Sequence, residues 1–169
     1  MAGREKTLED LFQETLKDIY FAEKKILSAL PKMAKAVNSE KLRTAFEKHT
    51  AETEGQVERL EQVFQMIDKP ARGKTCPAIM GLVEEGQEVM KDFKESPALD
   101  AGLLSGAQAV EHYEISRYGT LIAWADQLGL RDASKLLKQT LDEEKKTDVL
   151  LTQLAEAAIN ASGETQAAE

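Results

Sequence analysis

Seven side chains in this 169-residue sequence have the types and spacing to hold divalent cations: Glu23, His49, Glu52, Glu111, Glu114, Glu144 and Asp148. The signal is clearest around Glu111. Leu104, Ala107, Glu111, Ile115, Tyr118, Ile122 and Ala125 recur at helical spacing, about 100° per residue, so a carboxylate takes a place where a leucine is expected. An ionised carboxylate inside a protein is very costly unless it is protonated, paired or bound to a metal. Glu23 repeats the pattern between Ile19 and Ile26. Glu52 follows His49 on the shoulder of a polar stripe that includes Thr53 and Gln56, and Glu144 and Asp148 lie one turn apart on one face. Bridging carboxylates with a few imidazoles suit two iron ions, or two manganese ions, held close together. Without cations such acids raise one another's pKa values and hold protons.

Long helices are needed to bring these groups to one level. Thr7-Leu8-Glu9-Asp10 reads as an acidic capping box opening a helix from Leu8 to Val37, with Phe12, Ile19, Ile26 and Leu30 on its apolar face. Pro31 is expected to kink or break that helix near Leu27. Ser39 caps a second helix, Glu40 to Ile67, apolar at both ends and polar in its middle third. Pro77 suits the first position of a shorter helix over Ala78 to Lys94, weakened by Gly81 and Gly86 and placed on the outside. A third long helix runs from Leu99 to Leu128, closed by Gly129 at its C′ position, and a fourth from Ala133 to Ile159 with Asp132 as its N-cap. Two helix hairpins joined by a long connection define an all-α, ferritin-like four-helix bundle with a short fifth helix in the crossover. Residues 1–159 form this one domain. The small, polar residues 160–169 are expected to be a disordered tail.

The totals exclude several classes. Lys and Arg number 22 against 30 Asp and Glu, a net charge of −8, which argues against direct binding to nucleic acid or an anionic membrane face. No apolar run is long enough to span a bilayer, and the N-terminus lacks a signal peptide's apolar core. A lone cysteine, Cys76, permits no intrachain disulfide and no paired-cysteine zinc site, which points to a reducing cytoplasm. Taken singly, the candidate ligands have ordinary readings: an acid at the solvated rim, or a core histidine bonded to the backbone. His112 reads as exposed or as support for a ligand, Tyr118 as a packing residue able to bond a ligand carboxylate, and Cys76 as a packing or capping residue. Acids near the middle of all the long helices, taken together, point to a metal.

Four stretches, IYFAEKKILSALPKMA (19–34), HTAETEGQVERLEQVF (49–64), VEHYEISRYGTLIAWA (110–125) and LDEEKKTDVLLTQLA (141–155), resemble the YciE/YciF-type family of ferritin-like bacterial stress proteins. The resemblance covers almost the whole chain. It implies a rubrerythrin-like bundle, a homodimer, a dinuclear metal centre and a link to stress, and it implies no known reaction. One departure matters. Ferritin-like bundles carry Glu-x-x-His on two of their helices, whereas here Glu52 is followed at i+3 by Gly55 and Glu144 by Thr147. His49, Gln56 and Asp148 are the available substitutes, so the site is poor in nitrogen. Two readings therefore stand side by side: a dinuclear iron or manganese protein handling iron, oxygen or peroxide, and a metal-free helical stress protein acting through its dimer or a partner surface. No catalytic residue is assigned in either.

Overall fold

The computed structural model describes residues 4–164. Five helices account for most of them: α1 (Leu8–Ala36), α2 (Glu40–Met66), α3 (Pro77–Asp92), α4 (Leu99–Gln127) and α5 (Arg131–Leu154). A π-helical stretch, Ala155–Ile159, and a last turn, Asn160–Ser162, extend α5. The helix therefore runs three residues past its expected end. Residues 165–169 of the expected tail lie outside the described ones.

Local chemistry sets most boundaries. Thr7 and Asp10 make the reciprocal capping box of α1, and the Ser39 hydroxyl accepts from the Leu42 amide 3.3 Å away to cap α2. Pro77 opens α3 at a position where the missing N–H has no helical partner to lose. Gly129, at φ 75°, ends α4: its amide donates to the Asp126 carbonyl and the Leu130 amide to Ala125, the paired bonds of a Schellman turn. Two local expectations fail. Pro31 does not break α1. It sits on an exposed position near the helix end, where water can reach the carbonyl it leaves free. Nor does Asp132 cap α5. The tight turn at Gly129 makes Leu130 the capping position, and Asp132 sits inside the first turn, paired with Lys135.

The short turns between α1 and α2 and between α4 and α5 make each pair an antiparallel hairpin. α2 packs on α5 and α1 on α4, closing a ring of four helices, while α3 lies outside across α1 and α4. Of α3, Ile79 alone is fully buried. The core is continuous through Phe12, Leu16, Ile19, Phe46, Leu60, Leu103, Leu121 and Leu137. One polar tie fastens an end of the bundle. Asp100 at the start of α4 accepts from the Asn38 and Ser39 amides at 2.8 and 2.7 Å, and the Arg43 guanidinium donates to the Ala34 and Val37 carbonyls. These bonds lock the α1–α2 turn against the second hairpin.

Candidate metal centre

Midway along the bundle the inward positions are acidic. Glu23 of α1, Glu111 and Glu114 of α4 and Glu144 of α5 are each 0% exposed, and His49 of α2 is 2% exposed. Helical spacing puts Glu111 and Glu114 on one face and Glu23 between the apolar Ile19 and Ile26, so burying the apolar stripes carries the acids inward with them. His49, Glu111, Glu114 and Glu144 each offer a ligand atom, and these atoms all lie within 4.8 Å of one another. His49 Nδ1 is 3.0 Å from Glu111 Oε1, and its Nε2 is 3.6 Å from Glu144 Oε2. The Tyr118 hydroxyl, fully buried, donates to Glu23 Oε1.

Hydrogen bonding does not satisfy this cluster. Both oxygens of Glu111, Glu114 and Glu144, together with Glu23 Oε2 and His49 Nε2, have no hydrogen-bond partner. Buried polar atoms are ordinarily paired, so such a concentration of orphans in one place marks a site. Burial raises the Glu23 and Glu111 carboxyls to about 8 each, with the nearby Glu144 charge adding to both, and raises Glu114 well above the carboxylate range. For His49, burial works against the charged ring, but the carboxylates of Glu111 and Glu144 outweigh it and lift the group to about 10. The Tyr118 hydroxyl is driven up by burial and by Glu23.

Five of the seven expected ligands meet here, and two do not. Glu52 is at the flank, 23% exposed, with Lys48 Nζ at 3.1 Å and the Thr147 hydroxyl at 3.5 Å. Asp148 is equally exposed and lies 3.0 Å from Nε2 of the exposed His112, with the Gln108 amide at 3.3 Å. These partners hold both acids at the seams between helices. The inward i, i+3 pairs are instead Thr53 and Gln56 on α2 and Glu144 and Thr147 on α5, all buried. These are the registers in which a ferritin-like centre carries Glu-x-x-His. Three of those four ligand positions thus hold neutral residues, and His49, one turn before Thr53, supplies the cluster's nitrogen. The phase was available in the sequence for α2, since Thr53 is seven residues from both Phe46 and Leu60. Gln56 donates to Glu143 at 3.2 Å, where Arg59 also binds, and leaves its own Oε1 unpartnered and buried. Cys76 is buried and 3.1 Å from the Tyr113 hydroxyl, away from the cluster, in keeping with a packing role.

A helical bundle with a buried carboxylate and imidazole cluster at its middle is a ferritin-like protein in architecture. Residues 7–164 match a family model described as a domain of unknown function, DUF892. The chain belongs to that family. It is 47% identical to protein YciF of Escherichia coli strain K12 over 163 residues, which is 96% of this chain and 98% of that protein. The crystal structure described as the E. coli stress protein YciF superposes with a TM-score of 0.88 at 48% identity, over 92% of this chain and 99% of that one. YcfI of Rhodopseudomonas palustris gives 0.85 at 44% identity, over 90% and 98%. A Xanthomonas campestris protein, XCC3681, shares the fold alone: 0.72 at 19% identity, over 92% and 96%.

Proposed function

We propose that the cluster holds two divalent cations, iron or manganese, and that the protein serves a stress response by handling iron, oxygen or peroxide. The observation that carries this reading is the set of unpartnered buried oxygens on Glu111, Glu114 and Glu144. The donor set fits such cations. It offers several hard oxygens and one nitrogen, which suits manganese and ferrous iron better than copper or zinc. Four carboxylates also balance the charge of two divalent ions. His49, Glu111, Glu114 and Glu144 would hold the first ion, and Glu23 with Glu114 would reach the second. Iron or manganese bound there would supply one-electron chemistry toward oxygen or peroxide. The chain's own residues do the rest: Tyr118 fixes Glu23 by donating to Oε1, and the surrounding core buries the cluster's side chains. A role in stress follows the description of YciF as a stress protein. A cytoplasmic homodimer completes the reading, in keeping with the single free cysteine and with exposed apolar side chains such as Leu11, Met66 and Phe93. Light scattering on the purified protein gives its mass in solution.

Metal analysis of protein purified without chelator tests the centre. About two iron or manganese ions per chain, or their uptake on adding ferrous iron, is the expected result. No metal and no uptake would end the reading. Oxidation of added ferrous iron by peroxide, faster than the buffer blank, separates reaction from binding.

The second reading is a metal-free structural protein, the role suggested in the description of the R. palustris relative. The position of His49 supports it: a protonated ring between Glu111 and Glu144 can neutralise part of the cluster without metal. It predicts the same melting temperature with chelator as with ferrous iron.

A further inference from the structure

A cleft of about 140 Å³ opens between α1, α3 and α4 and runs inward to Glu111 and His49. Ile26, Met33, Leu82, Val83 and Met90 form its walls. Lys25 and Lys32 border it too, half-buried and exposed, so they stand toward solvent. Its lining includes the fully buried Glu111 and His49, whose Oε2 and Nε2 have no hydrogen-bond partner. The cleft is therefore apolar along its sides and polar at its floor.

We propose that this cleft is a binding site for a small, uncharged, mostly apolar organic molecule, with one polar group directed at Glu111 and His49. The size fits. A cavity of about 150 Å³ lined by apolar side chains accepts benzene, whereas peroxide needs a fraction of that room. Charge excludes the other classes. An anion would have to leave its water along walls that return no hydrogen bonds. A hydrated cation would have to shed water along walls that return no hydrogen bonds. A neutral molecule buries its apolar part against methionines, whose flexible side chains adapt to irregular shapes. Its polar end satisfies atoms that otherwise have no partner. The site does not require bound metal. It would place its ligand against the same glutamate that the proposed centre uses, and so would define the organic substrate of that centre.

Two glycines keep the cleft open. Gly86 on α3 and Gly106 on α4 line it, and a Cβ at either would meet nothing within 4 Å. Neither has a positive φ, so neither is needed for backbone conformation or for close packing. Glycine inside a helix costs about 1 kcal/mol relative to alanine. Gly119 is equally open but does not line the cleft, which makes it the control.

The test uses the whole chain, stripped with chelator. Benzyl alcohol, benzoate and benzylammonium are titrated and followed by calorimetry and by ligand-observed NMR. The expected result is saturable binding of benzyl alcohol to the stripped protein, with both ions at least tenfold weaker. Gly106→Leu and Gly86→Leu should each weaken benzyl alcohol binding at least tenfold while melting no lower than wild type. Gly119→Leu should bind as wild type does. Absence of saturable binding, equal binding of the three probes, or unchanged binding in both cleft variants overturns the proposal. Binding to the stripped protein with no metal uptake would uphold the cleft and end the metal reading alone. Should Gly106→Leu unfold, Gly86→Leu on the outer helix decides.

Discussion

Two buried acidic places in this molecule look alike in sequence and differ in chemistry. At the end of the bundle Asp100 is 7% exposed, and both of its oxygens accept backbone amides at 2.7–2.8 Å. At the middle, Glu111, Glu114 and Glu144 are 0% exposed, and apart from the His49 ring beside Glu111 and Glu144 nothing in the chain completes their oxygens. Burial alone therefore does not mark a binding site. Asp100 is a strut whose hydrogen bonds are complete within the chain. The central acids are incomplete, and whatever completes them must come from protons, from His49 or from outside. A strut should matter to folding under all conditions. A site should matter only when its ligand is supplied.

The sharpest way to break this contrast is metal. A ligand held a thousandfold above its dissociation constant stabilises the native state by about 4 kcal/mol. Saturating ferrous iron under anaerobic conditions should raise the wild-type melting temperature accordingly. The Glu111→Ala/Glu144→Ala double variant should lose that rise, yet be at least as stable as wild type in chelator, because it relieves carboxylate crowding. Equal stabilisation of variant and wild type would remove the distinction drawn above.

The next effect is that of pH on the stripped protein. Glu23 and Glu111 stand at about 8, against 4.5 for the free carboxyl, because burial disfavours their charge. His49 stands at about 10 against 6.5: burial opposes its charge and the carboxylates of Glu111 and Glu144 overcome that. All three shifts are upward, so the folded state binds more protons than the unfolded one. Stability is therefore greatest in acid, declines as pH rises from about 4.5 toward 8, and continues to fall toward 10 as His49 loses its proton. Each fully coupled group contributes at most about 1.4 kcal/mol per pH unit. Urea denaturation at several pH values, with chelator, should show this decline. With saturating iron the ligands carry no protons in the folded state, and the decline should flatten.

Asp100→Ala should cost about 3 kcal/mol, since it leaves two backbone amides without their acceptors. The loss should be the same with and without iron. A loss that disappears on adding iron would tie the strut to the site. The smallest effect belongs to Tyr118→Phe, which deletes the donor to Glu23 Oε1. About 1 kcal/mol of stability should go. Because Glu23 then loses its positioning bond, metal affinity should weaken while the fold is kept, measurable by ferrous titration alongside the melting curve.

Much of this is legible in the sequence. Thr7, Ser39 and Gly129 act through bonds to residues a few positions away, and Pro77 through the N–H it lacks, so the sequence carries their meaning directly. The apolar period likewise turned Glu23, His49, Glu111, Glu114 and Glu144 inward, because a helix cannot bury Ile19 and Ile26 without also burying Glu23. The Pro31 and Asp132 expectations failed for want of context: whether the freed carbonyl meets solvent, and where the preceding turn ends.

What only the tertiary structure decided is the rotation of α2 and α5 about their axes. Neighbouring positions on a helix differ by about 100°, so Glu52 or Thr53, and Thr147 or Asp148, exchange core for seam with a modest turn. Polar residues on these stretches do not fix that turn by themselves. The apolar ends of α2 fix it there, by packing Phe46, Leu60 and Val63 against their neighbours. On α5 the spacing is even-handed, since Thr147 and Asp148 both lie one turn from Glu144 and from Leu151. There His112 and Gln108 draw Asp148 to the surface seam, and those partners sit on α4, some forty positions back along the chain. Local sequence sets which residues form a helix and roughly which face is buried. The last fraction of a turn, which separates a ligand from a surface acid, is set by the neighbouring helices.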